Sequence, residues 1–540
     1  MKIRDYDNDN RKGWIVAVLF IVLVGSIFHY RYLNEFPTYI HAWAQSDWYA
    51  ISLGYLDNGF DFFHPQSMLL NKQFPSWWQE ASDNSITATD FPIHEYIVAL
   101  FMRLFGTTSP WVFRLWTLVI SLAGMVFLYK ACLLITDDWV KSLSVVAIAM
   151  TAPVYAYYAA GFLPGIPAFS VATAGLWTYL KYYKHQKKVF FHLSVGLFTL
   201  AMLIRTTFAI VFVAFILFEA IRIIKKESTL RDKIASVAIA IFLYAAYYAW
   251  NSHLRARYGS LFLNELLPPR NLDDVNEVFQ DVREKWAFQY LLKLQHYVIL
   301  AVIIFSALWQ IFLKTKKKEN TNAPSHLSLW WFWGIYTFGC LLFCVAMMRQ
   351  FSDHDYYFID SLFLPILLLF ALALGGLPKI RHWAVAASAC LVLAGLTWPM
   401  ITETQHLQQQ RRWNGDRSLI CYQHFKGSDS FLDHAGVAKD AKILVLLGYP
   451  QNGPLIQMHR KGFSVMQDKD NLLRTSLHFD FDYIIIENEV FAEAFDAHQD
   501  VLQRLKPLAQ NTDLTLCTLS DTIINSLPED FLNMTKINHQ

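Results

Sequence analysis

Asp90-Phe91-Pro92-Ile93-His94-Glu95-Tyr96-Ile97-Val98-Ala99-Leu100-Phe101-Met102-Arg103-Leu104-Phe105 is the stretch on which the topology of this 540-residue chain turns. Its apolar run, Tyr96 to Met102, falls far short of the roughly 20 residues that cross a hydrocarbon core. His94, Glu95 and Arg103 also break it. Read as a span, it would invert every later loop. Read as a helix lying in the outer interface, it leaves the rest of the chain consistent.

Outward from that stretch, eleven apolar runs approach bilayer length: roughly 13–33, 110–130, 141–161, 163–181, 189–204, 206–222, 234–252, 295–313, 327–348, 356–376 and 382–401. With 54% hydrophobic residues, the chain is expected to be a polytopic α-helical membrane protein. Counted alternately from a cytoplasmic N-terminus, the cytoplasmic loops are short and basic. They hold Lys2, Arg4, Arg11 and Lys12; Lys130 and Lys141; Lys181, Lys184, Lys187 and Lys188; Arg222, Lys225, Lys226, Arg231 and Lys233. Lys314, Lys316, Lys317 and Lys318 follow, then Lys379 and Arg381. The opposite set, 34–109, 253–294, 349–355 and everything after 401, is mixed in charge. This is the positive-inside pattern. It predicts a multi-pass protein of the inner (cytoplasmic) membrane, with its N-terminus cytoplasmic and its C-terminal domain periplasmic. The first run carries no Asp, Glu, Lys or Arg between Gly13 and Tyr30 and is too long for a cleavable signal core, so it reads as an anchor. The net charge of +2 says nothing about partners, and no nucleic-acid partner is expected.

After Met400 the composition changes, which divides the chain into a membrane domain, 1–402, with a large first outer loop, 34–109, and an outer domain, 403–540. Lys442 to Leu447 and Asp482 to Ile486 read as buried strands. Gly448-Tyr449-Pro450-Gln451-Asn452-Gly453-Pro454, a short amphipathic stretch and Phe463-Ser464-Val465 complete a βαβ unit. Ala492 to Leu505 is expected to be a helix and Leu514 to Leu519 a strand. The tail is therefore a small α/β domain without a dinucleotide fingerprint. Its glycine turn could cradle an anion, although a plain turn is the simpler reading. Cys421 and Cys517 lie in this domain, where oxidation is permitted and pairing is open.

The polar residues beside the outer face are the candidates for chemistry, because ionisable groups there are costly and tend to mark function. Asp47, in Trp43-Ala44-Gln45-Ser46-Asp47-Trp48-Tyr49, lies shortly after the first span in a segment able to form a helix. A helix cap is the bland alternative; the aromatic company and the size of the loop favour function. Arg205, in Ile204-Arg205-Thr206-Thr207, either snorkels to the interface or binds a phosphate with its planar fork of donors. The short outer hairpin Arg349-Gln350-Phe351-Ser352-Asp353-His354-Asp355-Tyr356-Tyr357 is either a capped turn or a site. Asp90, His94, Glu95 and Arg257 complete the set.

In this order and topology the motifs resemble the GT-C glycosyltransferases, in particular the family-39 group of bacterial relatives of protein O-mannosyltransferases and the lipid A aminoarabinose transferase. Over about 10–375 the features are the acidic residue in the opening helix of the first outer loop, the Asp90-Phe91-Pro92 stretch, Arg114 in the second span, Arg205, and His354 to Tyr357. The resemblance implies transfer of a sugar from a polyprenyl-phosphate donor, held with membrane lipid, to a protein, lipid or glycan acceptor at the outer face, with inversion. Asp47 matches the family's catalytic or metal-proximal carboxylate and Asp90 its second acidic position. Arg205, Arg349 and His354 would bind the donor phosphate, with His94, Glu95, Asp355, Tyr356 and Arg257 as further site residues. A divalent metal is left optional, with Asp47, Asp90 and His354 as its ligands. One departure stands out. Many relatives carry an acid before the Pro of the turn after the third span, where this chain has Gly161-Phe162-Leu163-Pro164-Gly165.

Two other function classes compete. A flippase or transporter would place charges within its spans and pair broken helices between two halves, and neither is evident here. A membrane-anchored binding or scaffold protein without catalysis would put its function in the α/β domain.

Overall fold

The computed structural model describes residues 3–76, 79–263, 265–316, 328–380, 382–493 and 497–520. Of the basic residues that orient the chain, Lys2, Lys317, Lys318 and Arg381 lie outside them. The chain forms two compact units. The first comprises Met1–Leu33, Arg114–Tyr248 and Glu265–Gln410; the second comprises Asn34–Phe113, Ala249–Asn264 and Arg411–Gln540.

The first unit is helical, and each apolar run of the sequence falls on a helix or a broken pair of helices. Six helices among the described residues are long and apolar enough to cross a membrane: Pro110–Thr136, Thr206–Ile224, Ile234–Tyr258, Lys293–Leu313, Leu329–Ala346 and Trp383–Gln410. Gly13–His29, Trp139–Met150, Lys188–Ile204 and Phe363–Gly375 are shorter and equally apolar. The molecule is a multi-pass membrane protein.

The run 141–161 is interrupted for a local reason. Asp138 caps the helix Trp139–Met150 by accepting the backbone N–H groups of Val140 (3.0 Å) and Lys141 (3.3 Å). Pro153 then forces a restart as Pro153–Tyr158. The carbonyls released at the break need donors, since lipid supplies none. Gln295 Nε2 donates to Ile148 O (3.0 Å), Thr404 Oγ1 to Thr151 O (2.7 Å), and Gln408 Nε2 to Ala156 O (2.8 Å).

The second unit is built on a five-stranded sheet of order β2-β1-β3-β5-β4. The strands are β1 (Ile443–Leu446), β2 (Gly462–Val465), β3 (Tyr483–Glu487), β4 (Leu505–Gln510) and β5 (Leu514–Leu519). The first three run parallel, and the helix Asn452–Met458 makes the crossover between β1 and β2. β5 and β4 are antiparallel. The expected helix over 492–505 is corrected. Helices Asn488–Glu493 and Gln499–Leu502 are separate, and Leu505 opens β4. Pro507 has no N–H to give a helix or a central strand, and β4 is the edge strand where it is tolerated.

The loop 34–109 folds onto this sheet. Residues 68–71 run beside β2, with Leu70 N–H donating to Gly462 O (2.6 Å) and Gly462 N–H to Met68 O (3.1 Å). The Asn71 side chain adds an acceptor for Ser464 N–H (2.8 Å). The loop also contains the interfacial stretch, which forms the helix Ile93–Phe105, and an opening helix, Ala42–Asp57. Ala42–Asp57 is buried nearly all round, as expected of a helix enclosed by protein. It rests on the loop's own backbone at Gly54, where a Cβ would stand 2.0 Å from Gln66 O. No disulfide joins Cys421 and Cys517. Both are buried, and Cys421 Sγ accepts Tyr449 N–H (3.3 Å).

Candidate active site

In the second unit, Asp47 lies on the Ala42–Asp57 helix and is only 1% exposed. Its carboxylate is met by side-chain amides from the turn after β1: Asn452 Nδ2 donates to Oδ1 at 2.7 Å and Gln451 Nε2 to the same oxygen at 3.4 Å. The Trp43 side chain, one helical turn earlier, supplies a further donor. Burial drives the carboxyl up to about 8, against the opposing pull of these hydrogen bonds. A carboxylate moved out of water and held by neutral dipoles is a stronger base than one in solvent.

The turn that presents these amides is Gly448 to Asn452, at the carboxyl end of β1. The sheet places β2 on one side of β1 and β3 on the other, which makes this end the topological switch point. Open α/β sheets bind ligands in that crevice. Here the turn meets the chain's own Asp47, through the side-chain amides of Gln451 and Asn452 rather than through its glycines.

Glu95 and His94 open the helix Ile93–Phe105 in the same unit, and both are buried. Burial, with the Asp90 charge adding to it, pushes Glu95 up to about 8. Glu95 Oε1 has no hydrogen-bond partner. His94 is held neutral, its pKa lowered by burial to about 3, with its ring edge-on to Phe113 (5.1 Å). Asp90 precedes that helix half-buried. Arg257 is exposed near the end of Ile234–Tyr258, its guanidinium 5.2 Å from the Tyr258 ring.

The remaining candidates belong to the first unit, where Tyr356 lies beside Arg205 and His354 packs on Tyr356. Arg205 is extended between Lys188–Ile204 and Thr206–Phe208, where the change of backbone direction frees it from either helix. Its Nε donates to Asp360 Oδ2 at 2.7 Å, and its guanidinium lies 6.0 Å from the Tyr356 ring and 5.7 Å from that of Tyr357. Asp355 is fully buried and accepts the Tyr158 hydroxyl at 2.7 Å. His354 packs edge-on to Tyr356 (5.5 Å) and Tyr357 (5.9 Å). Arg349 faces elsewhere: its Nε donates to Pro268 O (3.1 Å) and its N–H to Leu267 O (3.2 Å).

Asp360, the ion-pair partner of Arg205, is a residue that the sequence reading does not single out. It sits in an otherwise apolar run, and an acid in such a run is itself the signal that could have found it. Its carboxylate also addresses the turn that lacks an acid of its own. A Cβ added to Gly165, the first residue of Gly165–His185, would stand 2.3 Å from Asp360 Oδ1. Gly165→Ala is therefore expected to displace Asp360 and with it Arg205. It should weaken binding of a polyprenyl phosphate, the donor lipid expected from the sequence, roughly as much as Asp360→Ala does, by about tenfold for one charge-assisted contact. Quenching of tryptophan fluorescence by the lipid would measure it, and wild-type affinity in Gly165→Ala would refute the link.

Among the described residues, no group of three or more His, Cys, Asp or Glu side chains gathers as metal ligands would. Asp47 and Asp90 belong to one unit and His354 to the other.

Residues 89–250 match the family model described as dolichyl-phosphate-mannose-protein mannosyltransferase. No curated protein is significantly similar in sequence. Among solved structures, the mycobacterial arabinofuranosyltransferase AftD aligns with a TM-score of 0.53 and 13% identity, covering 95% of this chain and 40% of that one. ArnT from Cupriavidus metallidurans, solved with undecaprenyl phosphate bound, aligns with a TM-score of 0.46 and 11% identity over 95% of this chain and 99% of that one. The Archaeoglobus fulgidus oligosaccharyltransferase gives 0.48 and 12% over 91% and 71%.

Proposed function

We infer that this chain, a membrane glycosyltransferase of the GT-C fold whose residues 89–250 match the protein mannosyltransferase model, moves a sugar from a polyprenyl-phosphate donor to an acceptor hydroxyl. The observation that carries the reading is Asp47, a buried carboxyl raised to about 8 and held by neutral amide donors. A general base should have a pKa near the working pH, and in this chain the raised value comes from burial.

The balance of the reaction assigns the remaining roles. The acceptor oxygen forms the new bond to the anomeric carbon as the carbon–oxygen bond to phosphate breaks, and polyprenyl phosphate leaves with the electron pair. The acceptor proton passes to Asp47. Two amides already engage Oδ1, so we assign the proton to Oδ2. The leaving group carries its own activation, so no nucleotide fold is needed. Its charge needs a cation, and Arg205, oriented by Asp360, fills that role, with His354, Tyr356 and Asp355 shaping its surroundings. Displacement by a hydroxyl in one step inverts the anomeric centre. Asp90 acts on this site through its charge beside Glu95.

We place the reaction at the outer face of the inner membrane, with the sheet unit periplasmic. The test is transfer of label from dolichyl-phosphate-[³H]mannose by the full chain in sealed vesicles of both orientations. Label should pass to acceptor only where the sheet side is accessible to it. Equal transfer in both orientations would overturn the orientation, and no transfer with any of a panel of polyprenyl-phosphate sugars would overturn the donor class.

A further inference from the structure

Asn452 is fully buried, and its side-chain amide is committed at both ends. Its Oδ1 accepts Met68 N–H at 3.2 Å, and its Nδ2 donates to Asp47 Oδ1 at 2.7 Å. A side-chain amide can be flipped unless its partners decide which end is oxygen. Here a backbone donor on one side and a carboxylate on the other decide it.

The turn that carries Asn452 is anchored independently of Asp47. Leu447 N–H donates to Val465 O (2.6 Å), and Gly453 N–H to Pro450 O (2.9 Å). Gln451, also buried, adds the longer contact to the same Asp47 oxygen. The sheet thus presents a fixed pair of donors to one oxygen of a carboxylate carried by the first outer loop.

We infer that Asn452 is the positioning residue of Asp47: it pins Oδ1 and so fixes which oxygen takes the acceptor proton and where that oxygen points. This rests on the reading of Asp47 as the base. It gives the C-terminal sheet a task other than binding acceptor, namely to complete the catalytic carboxylate. The short contact to Asn452 makes it the principal donor, and Gln451 supports it. A buried carboxylate with one oxygen held by two amides has little freedom to turn, which is the preorganisation a base requires.

The ionisable groups to be kept in view are Tyr449, which feels the Asp47 charge, and those on the helix Ile93–Phe105 packed against Ala42–Asp57. Tyr449 lies on the same turn, raised by burial and by the charges of Asp416 and Asp47. Glu95 and His94, with Asp90 acting on Glu95, lie on the packed helix Ile93–Phe105 and its lead-in. All keep their identity in the variants below, and the carboxyl that Asn452→Asp adds is told apart from Asp47 by its band in the Asp47→Asn, Asn452→Asp double variant, so a change in the Asp47 titration reports on the amide.

Two variants separate positioning from packing. Asn452→Asp keeps the shape and the acceptor for Met68 N–H but puts a carboxyl where Asp47 expects a donor. Asn452→Ala removes both contacts. The infrared carboxyl band of the full-length protein, assigned to Asp47 by its loss in Asp47→Asn, is titrated in each, alongside transfer from dolichyl-phosphate-mannose. A donor stabilises the ionised form, so its loss should move the Asp47 titration to higher pH by about one unit, a tenfold change in proton affinity. Turnover at saturating donor should fall by about 10²-fold in Asn452→Asp, with the Michaelis constant for the lipid little changed. An unchanged band and unchanged turnover in both variants, with Asp47→Asn inactive, would overturn the positioning role and leave the base standing. Lowered thermal stability with an unmoved titration would overturn it equally. Full activity in Asp47→Asn would remove the base and the positioning role together.

Discussion

Asp47→Asn is expected to lower sugar transfer by about 10²–10⁴-fold while leaving the protein folded and, above neutral pH, more stable than the parent. The loss follows from the missing base, since an amide cannot take the acceptor proton. The gain follows from the direction of the shift. The Asp47 pKa rises from an ordinary 3.8 to about 8 on folding. A group raised in this way favours the folded state fully below its unfolded value, and that contribution is lost as pH climbs through the folded value. From pH 4 upward the native protein must either keep a proton that the unfolded chain gives up, or bury a charge. Asparagine is neutral at every pH and can still accept the Asn452 donor. Thermal unfolding of the two proteins from pH 5 to 9 should therefore diverge in favour of Asp47→Asn. In the parent, kcat/KM should rise about tenfold per pH unit up to about 8 and then level, because only the ionised carboxyl acts. An active Asp47→Asn, or a profile flat from pH 5 upward, would exclude this residue as the base.

The second large effect is on stability. Glu487 closes β3 fully buried, and its oxygens accept Arg417 Nη1 (2.7 Å), Arg417 Nη2 (2.6 Å) and His424 Nδ1 (2.7 Å). Arg417 also donates to Leu447 O (2.7 Å), so one guanidinium ties the helix Arg417–Phe425 to the ends of two strands. Breaking one side of a buried pair leaves Glu487 with His424 as its remaining named partner, and Arg417→Ala is expected to destabilise the second unit by about 3 kcal/mol. Replacing Glu487 and Arg417 together with neutral residues should cost less than Arg417→Ala alone. A double variant less stable than the single one would contradict this account.

The same pair sets an acid–base window. Burial alone would raise Glu487, but the hydrogen bonds from His424 and Arg417 prevail and hold it below its usual 4.5. Its contribution is present above pH 4.5 and is lost as pH falls through the folded value. The hydrogen bond to Glu487, partly offset by burial, raises His424 above 6.5, and its contribution is present below that value and is lost as pH rises. Cluster stability should be greatest between about pH 4.5 and 6.5, and the Arg417→Ala deficit should widen as His424 deprotonates.

Much of the membrane part could be read from the chain because its rules are local. An apolar run of bilayer length, the basic loops and the charges that interrupt 91–105 are visible within a few residues of each other. The helix Ile93–Phe105 and the βαβ unit were legible for the same reason. β4 is not legible because Leu505 continues an amphipathic pattern that reads as the end of a helix, and the pairing with β5 that makes 505–510 a strand leaves no such local pattern. Asp47 was legible from its aromatic surroundings, but its partners were not. Gln451 and Asn452 lie in a turn whose glycines suggested an anion without naming one. The Arg205–Asp360 pair joins residues 155 apart, and no spacing rule connects them. What the chain conceals is which distant side chains face each other, since that depends on packing.

The contact between Asp47 and Asn452 spans 405 residues. Synthesis runs from the N-terminus at about 5–20 residues per second, so the carboxylate precedes its amide by about 20–80 s. For that interval the loop 34–109 has no β2 edge to lie along and lacks the two amide donors that the finished chain gives Asp47. A ribosome that stops early, or a protease that removes the tail, releases a membrane-inserted chain with a solvated, ordinary aspartate. The last segment made thus supplies the amides and the strand edge against which the first loop packs, so that loop is complete only when the chain is.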